Sequence, residues 1–346
     1  MKKPVKILLI VGIVLVVVGG GIAAVGFISG GFPNLYWSEN QKITEYKAED
    51  LVTMDKTEIE AFSAIDITTE LGSVEVIPGD SYSIQCSNFL KDRQPSYEVK
   101  DGTLFLHYKF SYHGIMMFGE GIDDSAKITV TVPNDAKFSS VNIIAEGEIL
   151  VKDLATDHLV LNNEYGDALT LENVKAENAE IAAESSNLVL KKCSLGKSTM
   201  SAEYGNVQIT ECQGTDHWIL DAESGEVTFD NAQLATLECD VEYGSLTMKK
   251  VSSKGLDLSL ESGDADISGD LRGKTEIDAG YGNITLNLTG AEAEYGYLLK
   301  AEYGDISIDG KKIEGTMHSK NNTTDQMEVE CESGSIGLNF SQSAVE

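Results

Sequence analysis

The stretch SAEYGNVQI, residues 201–209, contains Glu203-Tyr204-Gly205, and the same three letters return at Glu164-Tyr165-Gly166, Glu242-Tyr243-Gly244 and Glu302-Tyr303-Gly304. Aligned on the glutamate, the chain gives Glu164, Glu184, Glu203, Glu223, Glu242 and Glu261, then Gly280 in the same place, then Glu302 and Glu332. The intervals are 20, 19, 20, 19, 19, 19, 22 and 30 residues. A period held over so many units, in a chain with 33 glycines and only 5 prolines, is the mark of stacked structural repeats.

The inside of each unit follows from alternation. Positions five, three and one before the glutamate are Ser198, Met200 and Ala202; Trp218, Leu220 and Ala222; Leu237, Cys239 and Val241; Leu256, Leu258 and Leu260. Apolar residues with period two make a half-buried strand ending at the glutamate. Beyond the glycine, Val207 and Ile209, Val227 and Phe229, and Leu246 and Met248 continue as a second strand. Glycine supplies the bend between the two. Each unit therefore reads strand, glycine corner, strand, looser turn. Units this short cannot bury their own apolar face and must stack. The sequence thus predicts an all-β fold, a parallel β-solenoid with coils of 19–20 residues. Strand spacing alone also fits an antiparallel sandwich, but here identity repeats, Glu upon Glu and Gly upon Gly.

The residue after the glutamate runs Tyr165, Ser185, Tyr204, Ser224, Tyr243, Ser262, Tyr281. Coils stack about 4.8 Å apart, which is tight for a file of rings. Alternation lets each ring lie over a small neighbour, a packing account that competes with an aromatic binding stripe.

At the N-terminus Lys2, Lys3 and Lys6 precede an uncharged run of 22 residues from Ile7 to Ile28, long enough to span a bilayer as a helix. The lysines place that end in the cytoplasm and the bulk of the chain outside. A cleaved signal peptide competes, with small Ala23 and Ala24, but its apolar part is usually only ~7–15 residues. The expected organisation is a basic tail at 1–6, a transmembrane helix at 7–28, a juxtamembrane linker at 29–57, a β region at 58–145 that starts or caps the solenoid, repeats at 146–340 and a tail at 341–346. The segment 110–123, with Met116, Met117 and Phe118, reads as a surface loop. The balance of 26 basic to 56 acidic residues excludes nucleic acid, whose phosphates demand a Lys/Arg-rich surface. Without the three anchor lysines the exported part carries net charge −33.

The order FSAIDITTELGSVEVIPGD, VKDGTLFLHY, ITVTVPNDAKFSSVNI and then repeated Glu-[Tyr/Ser]-Gly corners resembles the bacterial "putative-adhesin" domain family of unknown function. The resemblance covers roughly residues 58–340. It implies an exported β-solenoid-like domain, often behind one N-terminal transmembrane helix, and in some members a gene placed beside cell-envelope stress regulators. It offers no catalytic residues to carry over.

Five cysteines in an exported chain raise the question of disulfides. Cys193 and Cys212 lie one period apart and would be stacked neighbours, while Val174, Ala232 and Val251 fill the same column elsewhere. A Cys193–Cys212 disulfide and simple apolar filling both fit. No cysteine has zinc-ligand spacing to another or to a histidine. The glutamate ladder is the sharper feature. Carboxylates one coil apart repel by roughly 0.9 kcal/mol in water, so an offset is expected. It would come from hydrogen bonds to corner N–H groups of the adjacent coil, from a divalent cation such as Ca²⁺, or from a basic polymer or protein along the face. An enzyme acting on acidic glycans would need basic residues, yet Arg93 and Arg272 are the only arginines and the five histidines do not cluster. The sequence therefore reads as an extracytoplasmic, membrane-anchored, non-catalytic binding or scaffolding module whose partner is an envelope protein or a cell-surface polymer. The alternatives are a regulatory or structural subunit of a membrane complex and a glycan-active β-helix enzyme.

Overall fold

The alternating apolar residues all face inward: Met200, Trp218, Leu220, Val207, Ile209 and Phe229 are wholly shielded from solvent. A computed structural model gives the structure of residues 35–37, 43–45, 48–109, 126–319 and 321–341. The basic tail, the predicted membrane span, residues 29–34, 38–42 and 46–47 of the linker, the loop at 110–123 and the tail after 341 lie outside these residues.

The fold is all-β and solenoid-like, built from parallel ladders in which each strand pairs with the strand two further on. In one ladder Ala155–Asn163, Lys175–Ala183, Ser194–Tyr204, Gln213–Ser224 and Gln233–Tyr243 follow one another in parallel register. In the other, Ala168–Glu172, Asn187–Lys191, Val207–Thr210 and Val227–Asp230 do the same. Parallel pairing between successive coils rules out the antiparallel sandwich. Leu246–Ser262 and Ala265–Tyr281 run unbroken from one ladder into the other.

Two corners close each coil. The glycine corner is set by crowding more than by bending. A Cβ on Gly244 would sit 1.9 Å from the carbonyl oxygen of Gly225, a distance at which backbone must move. The second corner, expected to be looser, is one residue with positive φ: Asp153, Asn173, Lys192, Glu211, Asn231 and Lys250 lie at φ 49 to 55°. The N–H groups of Asp153, Asn173, Lys192, Glu211 and Asn231 bond to the next coil, as Lys192 N–H does to the Thr210 carbonyl at 2.9 Å. That bonding along the stack holds even Lys and Glu in a conformation usually reserved for Gly, Asn and Asp.

Chain order and spatial order part company at both ends. Ala64–Thr69 lies between Thr103–Tyr108 and Lys137–Ala145, so an early strand of the 58–145 region is inserted beneath one made later. At the far end Gln326–Ser333 lies between the last part of Ala265–Tyr281 and Gly296–Tyr303, and Ile336–Ser341 between Ile284–Thr289 and Ile306–Ile308. Antiparallel strands close the outer edges: Tyr97–Lys100 and Ser83–Ser87 at one end, Met317–His318 and Lys311–Ile313 at the other. Such caps remove open strand edges that would pair with other chains.

The segment 29–57 is not linker to its end. Leu51–Val52 pairs with Phe89–Leu90, Met54 N–H donates to the Cys86 carbonyl at 2.8 Å, and Leu51 and Met54 pack on the core. Their apolar side chains explain why the body claims them.

Candidate functional site

The glutamate corner forms one continuous edge of the solenoid. Its backbone is tied coil to coil, with Tyr204 N–H donating to the Glu184 carbonyl at 2.8 Å and Ser185 N–H to the Glu164 carbonyl at 3.0 Å. The residue after the glycine completes the corner. Asn206 N–H donates to Asn187 Oδ1 at 2.9 Å, Glu226 N–H to Asn206 Oδ1 at 2.9 Å, and Asn283 N–H to Asp264 Oδ1 at 2.7 Å.

These Asn and Asp side chains take the N–H groups that the sequence reading reserved for the glutamates. The carboxylates of Glu164, Glu184, Glu203, Glu223, Glu242, Glu261, Glu302 and Glu332 accept no hydrogen bond and form no ion pair among the described residues. The expected backbone offset is therefore absent, and where the residue just past the glycine is Asn or Asp its shorter side chain takes those donors instead. Lys300, the cation nearest in sequence to Glu302, gives its ammonium to Glu330 at 2.9 Å. Among the described residues no three His, Cys, Asp or Glu side chains converge as a metal site.

The opposite edge behaves differently. There Lys152 and Lys191 flank Glu172 at 3.1 and 3.8 Å, and Lys192 meets Glu211 at 3.9 Å. A hydrogen bond from Lys152 holds the Glu172 carboxyl below the usual range. One edge neutralises itself by stacking unlike charges; the other stacks like charges with no cation between them among the described residues.

Beside the glutamates runs the Tyr/Ser column. Tyr165, Tyr204, Tyr243 and Tyr281 are 60–63% exposed and Tyr303 77%. The rings are therefore surface groups, each set beside the serine of an adjacent coil. Period-two counting puts Tyr204 on the inner side, since Ala202 is buried. The corner breaks the period and turns ring and carboxylate outward together. The alternation itself is spatial. Register pairs Tyr204 with Ser224, Ser224 with Tyr243, Tyr243 with Ser262, Ser262 with Tyr281, Tyr281 with Ser333 and Ser333 with Tyr303. In chain order the pattern fails, because Tyr281 is followed by Tyr303 and then Ser333. Insertion of the C-terminal strand restores it. That break was the signal in the sequence for the swapped coil.

Where Gly280 stands in place of a glutamate the ladder has a gap. A cleft of about 490 Å³ opens there, lined by Tyr243, Tyr281, Glu261, Asp278, Glu332 and Ser262 among others. The sequence identified Gly280 only as a substitution in the column and missed Asp278, which projects beside it.

Cys193 and Cys212 are adjacent, with Cys193 N–H 3.4 Å from Cys212 Sγ, and all five cysteines are buried free thiols. A hydrogen bond within the pair and burial push the Cys212 thiol far up.

The family model described as Toastrack DUF4097 matches residues 62–219 and, in a second overlapping match, 185–339. The chain belongs to that family. No curated protein matches it. Among solved structures it is similar to a "putative adhesin" from Bacteroides fragilis, with 14% identity over 84% of this chain and 97% of that one and a TM-score of 0.36. A "putative lipid binding protein" from Parabacteroides distasonis shows 14% identity over 84% and 96%, with a TM-score of 0.43. A "putative cell adhesion protein" from Clostridium sporogenes shows 11% identity over 83% and 98%, with a TM-score of 0.23. Scores this low place no constraint on function.

Proposed function

We propose that the chain is a non-catalytic binding module of the cell envelope, held by one N-terminal membrane helix at residues 7–28 with its β-solenoid outside. The observation that carries this reading is the tyrosine and glutamate edge. Exposed aromatic rings at regular spacing, beside carboxylates that have no partner among the described residues, form a surface suited to association rather than to internal packing. Three lysines ahead of an uncharged 22-residue run support the anchor and its orientation. No helix among the described residues is long and apolar enough to cross a membrane, so the span proposed at 7–28 is the one to test.

Serine already occupies alternate positions of the tyrosine column, so Tyr204→Ser, Tyr243→Ser and Tyr281→Ser together should leave the fold intact. Wild type and this triple variant are compared on a glycan array and by capture from envelope extracts. The expected result is a ligand retained by wild type and lost by the variant. Equal capture by both would remove the edge as the binding surface.

A further inference from the structure

We infer that the edge takes a basic polypeptide in an extended, polyproline-like conformation, anchored by a cationic side chain in the cleft over Gly280; this rests on the edge being the binding surface. Three features argue for it.

The first is the contrast between the two edges. The Lys152, Glu172 and Lys191 side balances its charges internally, and the glutamate side does not. A chain of net charge −30 has few cations of its own to bring there, so the complement is external and positive.

The second is a precedent inside the molecule. The Arg272 guanidinium lies 5.0 Å from the centre of the Tyr295 ring and is shared by Asp270 at 2.6 Å, Glu294 at 3.1 Å and Asp325 at 3.2 Å. Ring plus carboxylates is thus an arrangement this protein fills with a guanidinium, by cation–π attraction and charge-assisted bonds together. The cleft over Gly280 offers Tyr243 and Tyr281 as rings with Glu261, Asp278 and Glu332 as carboxylates. The chain supplies no guanidinium there.

The third is spacing. Tyrosines recur every second coil, about 9.6 Å apart. A polyproline II segment repeats the same face every three residues, about 9.3 Å. A cation at every third residue of such a segment therefore meets ring after ring, and aromatic edges are a known docking mode for this conformation.

The test uses the full-length chain in nanodiscs and fluorescently labelled peptides: an Arg-Pro-Pro repeat, the matching Gln-Pro-Pro repeat, and a peptide of the first composition with its arginines bunched at one end. The Arg-Pro-Pro repeat should bind tightest and weaken with added salt. The double variant Tyr243→Ser, Tyr281→Ser should lower its affinity about fivefold to tenfold, and Glu261→Gln with Glu332→Gln should lower it while flattening the salt dependence. Equal binding of the arginine and glutamine repeats, equal binding of the bunched peptide, or full affinity in the tyrosine variant would each overturn the inference. The two readings fail separately. A neutral glycan held by wild type and lost on Tyr→Ser substitution would keep the edge and remove the basic polypeptide. If no ligand of any kind depends on the tyrosines, both fall.

Discussion

Glu203 stacks between the equivalent carboxylates of the coils above and below, and each such neighbour costs it roughly 0.9 kcal/mol before screening. Nothing among the described residues repays that cost. Glu203→Gln should therefore leave the urea midpoint unchanged or raise stability by less than about 1 kcal/mol. Gly244→Ala should behave in the opposite way. Its Cβ would meet the Gly225 carbonyl oxygen at 1.9 Å, and a loss of about 3 kcal/mol is expected in the same titration. Together the pair separates a residue kept for the surface from one kept for the stack. Sequence made this division partly visible. Met200, Trp218 and Leu220 could be placed inside from alternation alone, because a strand's geometry fixes which side each residue faces. The outward turn of Tyr204 could not, since a corner suspends that geometry and nothing local says for how many residues.

Among the elements, the segments after the last long strand rest on one side chain. Arg272 holds Asp270 on its own strand, Glu294 in the short turn Glu292–Glu294, and Asp325 ahead of the C-terminal strands. Gly273 N–H adds a bond to Asp325 at 2.8 Å. Removing the guanidinium leaves three carboxylates facing one another. Arg272→Leu should cost about 2 kcal/mol, and Arg272→Lys should recover only part of it, because an ammonium lacks the planar fork. Tyr295, under the guanidinium, donates its hydroxyl to the Thr289 carbonyl at 2.6 Å, and burial pushes its pKa up to about 12 from 10.0. Burial likewise raises Tyr108 from 10.0 to about 12. For both, the unfolded chain loses its proton first as pH rises. Their contribution is full below about pH 10 and is lost between 10 and 12, so the melting temperature should fall steeply across that window. The order of these last elements was not legible from spacing. The intervals of 22 and 30 residues show that the repeat loosens, but a register that pairs Lys274 with Gln326 and Ile284 with Ile336 is written in tertiary contacts. Only the interrupted Tyr/Ser alternation recorded it.

At the scale of the whole molecule, each coil contacts little beyond its neighbours, so stability is carried along the axis from coil to coil. The sequence announced this architecture through its period. It could not announce the two closures, because the inserted strands resemble ordinary repeats. Deleting residues 326–346 should expose the Ala265–Tyr281 strand on one side and Gly296–Tyr303 on the other, and bury nothing in exchange. The expected outcome is self-association on size-exclusion chromatography and rapid digestion by added protease, where the full chain stays monodisperse and resistant. The insertion also bears on how the protein is made. A solenoid that adds coils in the order of synthesis can be left half-built and still present a finished surface. Here Ile336 and Leu338, wholly shielded in the interior, follow Ile306–Ile308 in the chain yet lie inside it, completing a layer whose outer neighbour is already made. The layer closes only after the strand outside it has been synthesised, so Ile306–Ile308 must wait for its inner neighbour before it can dock.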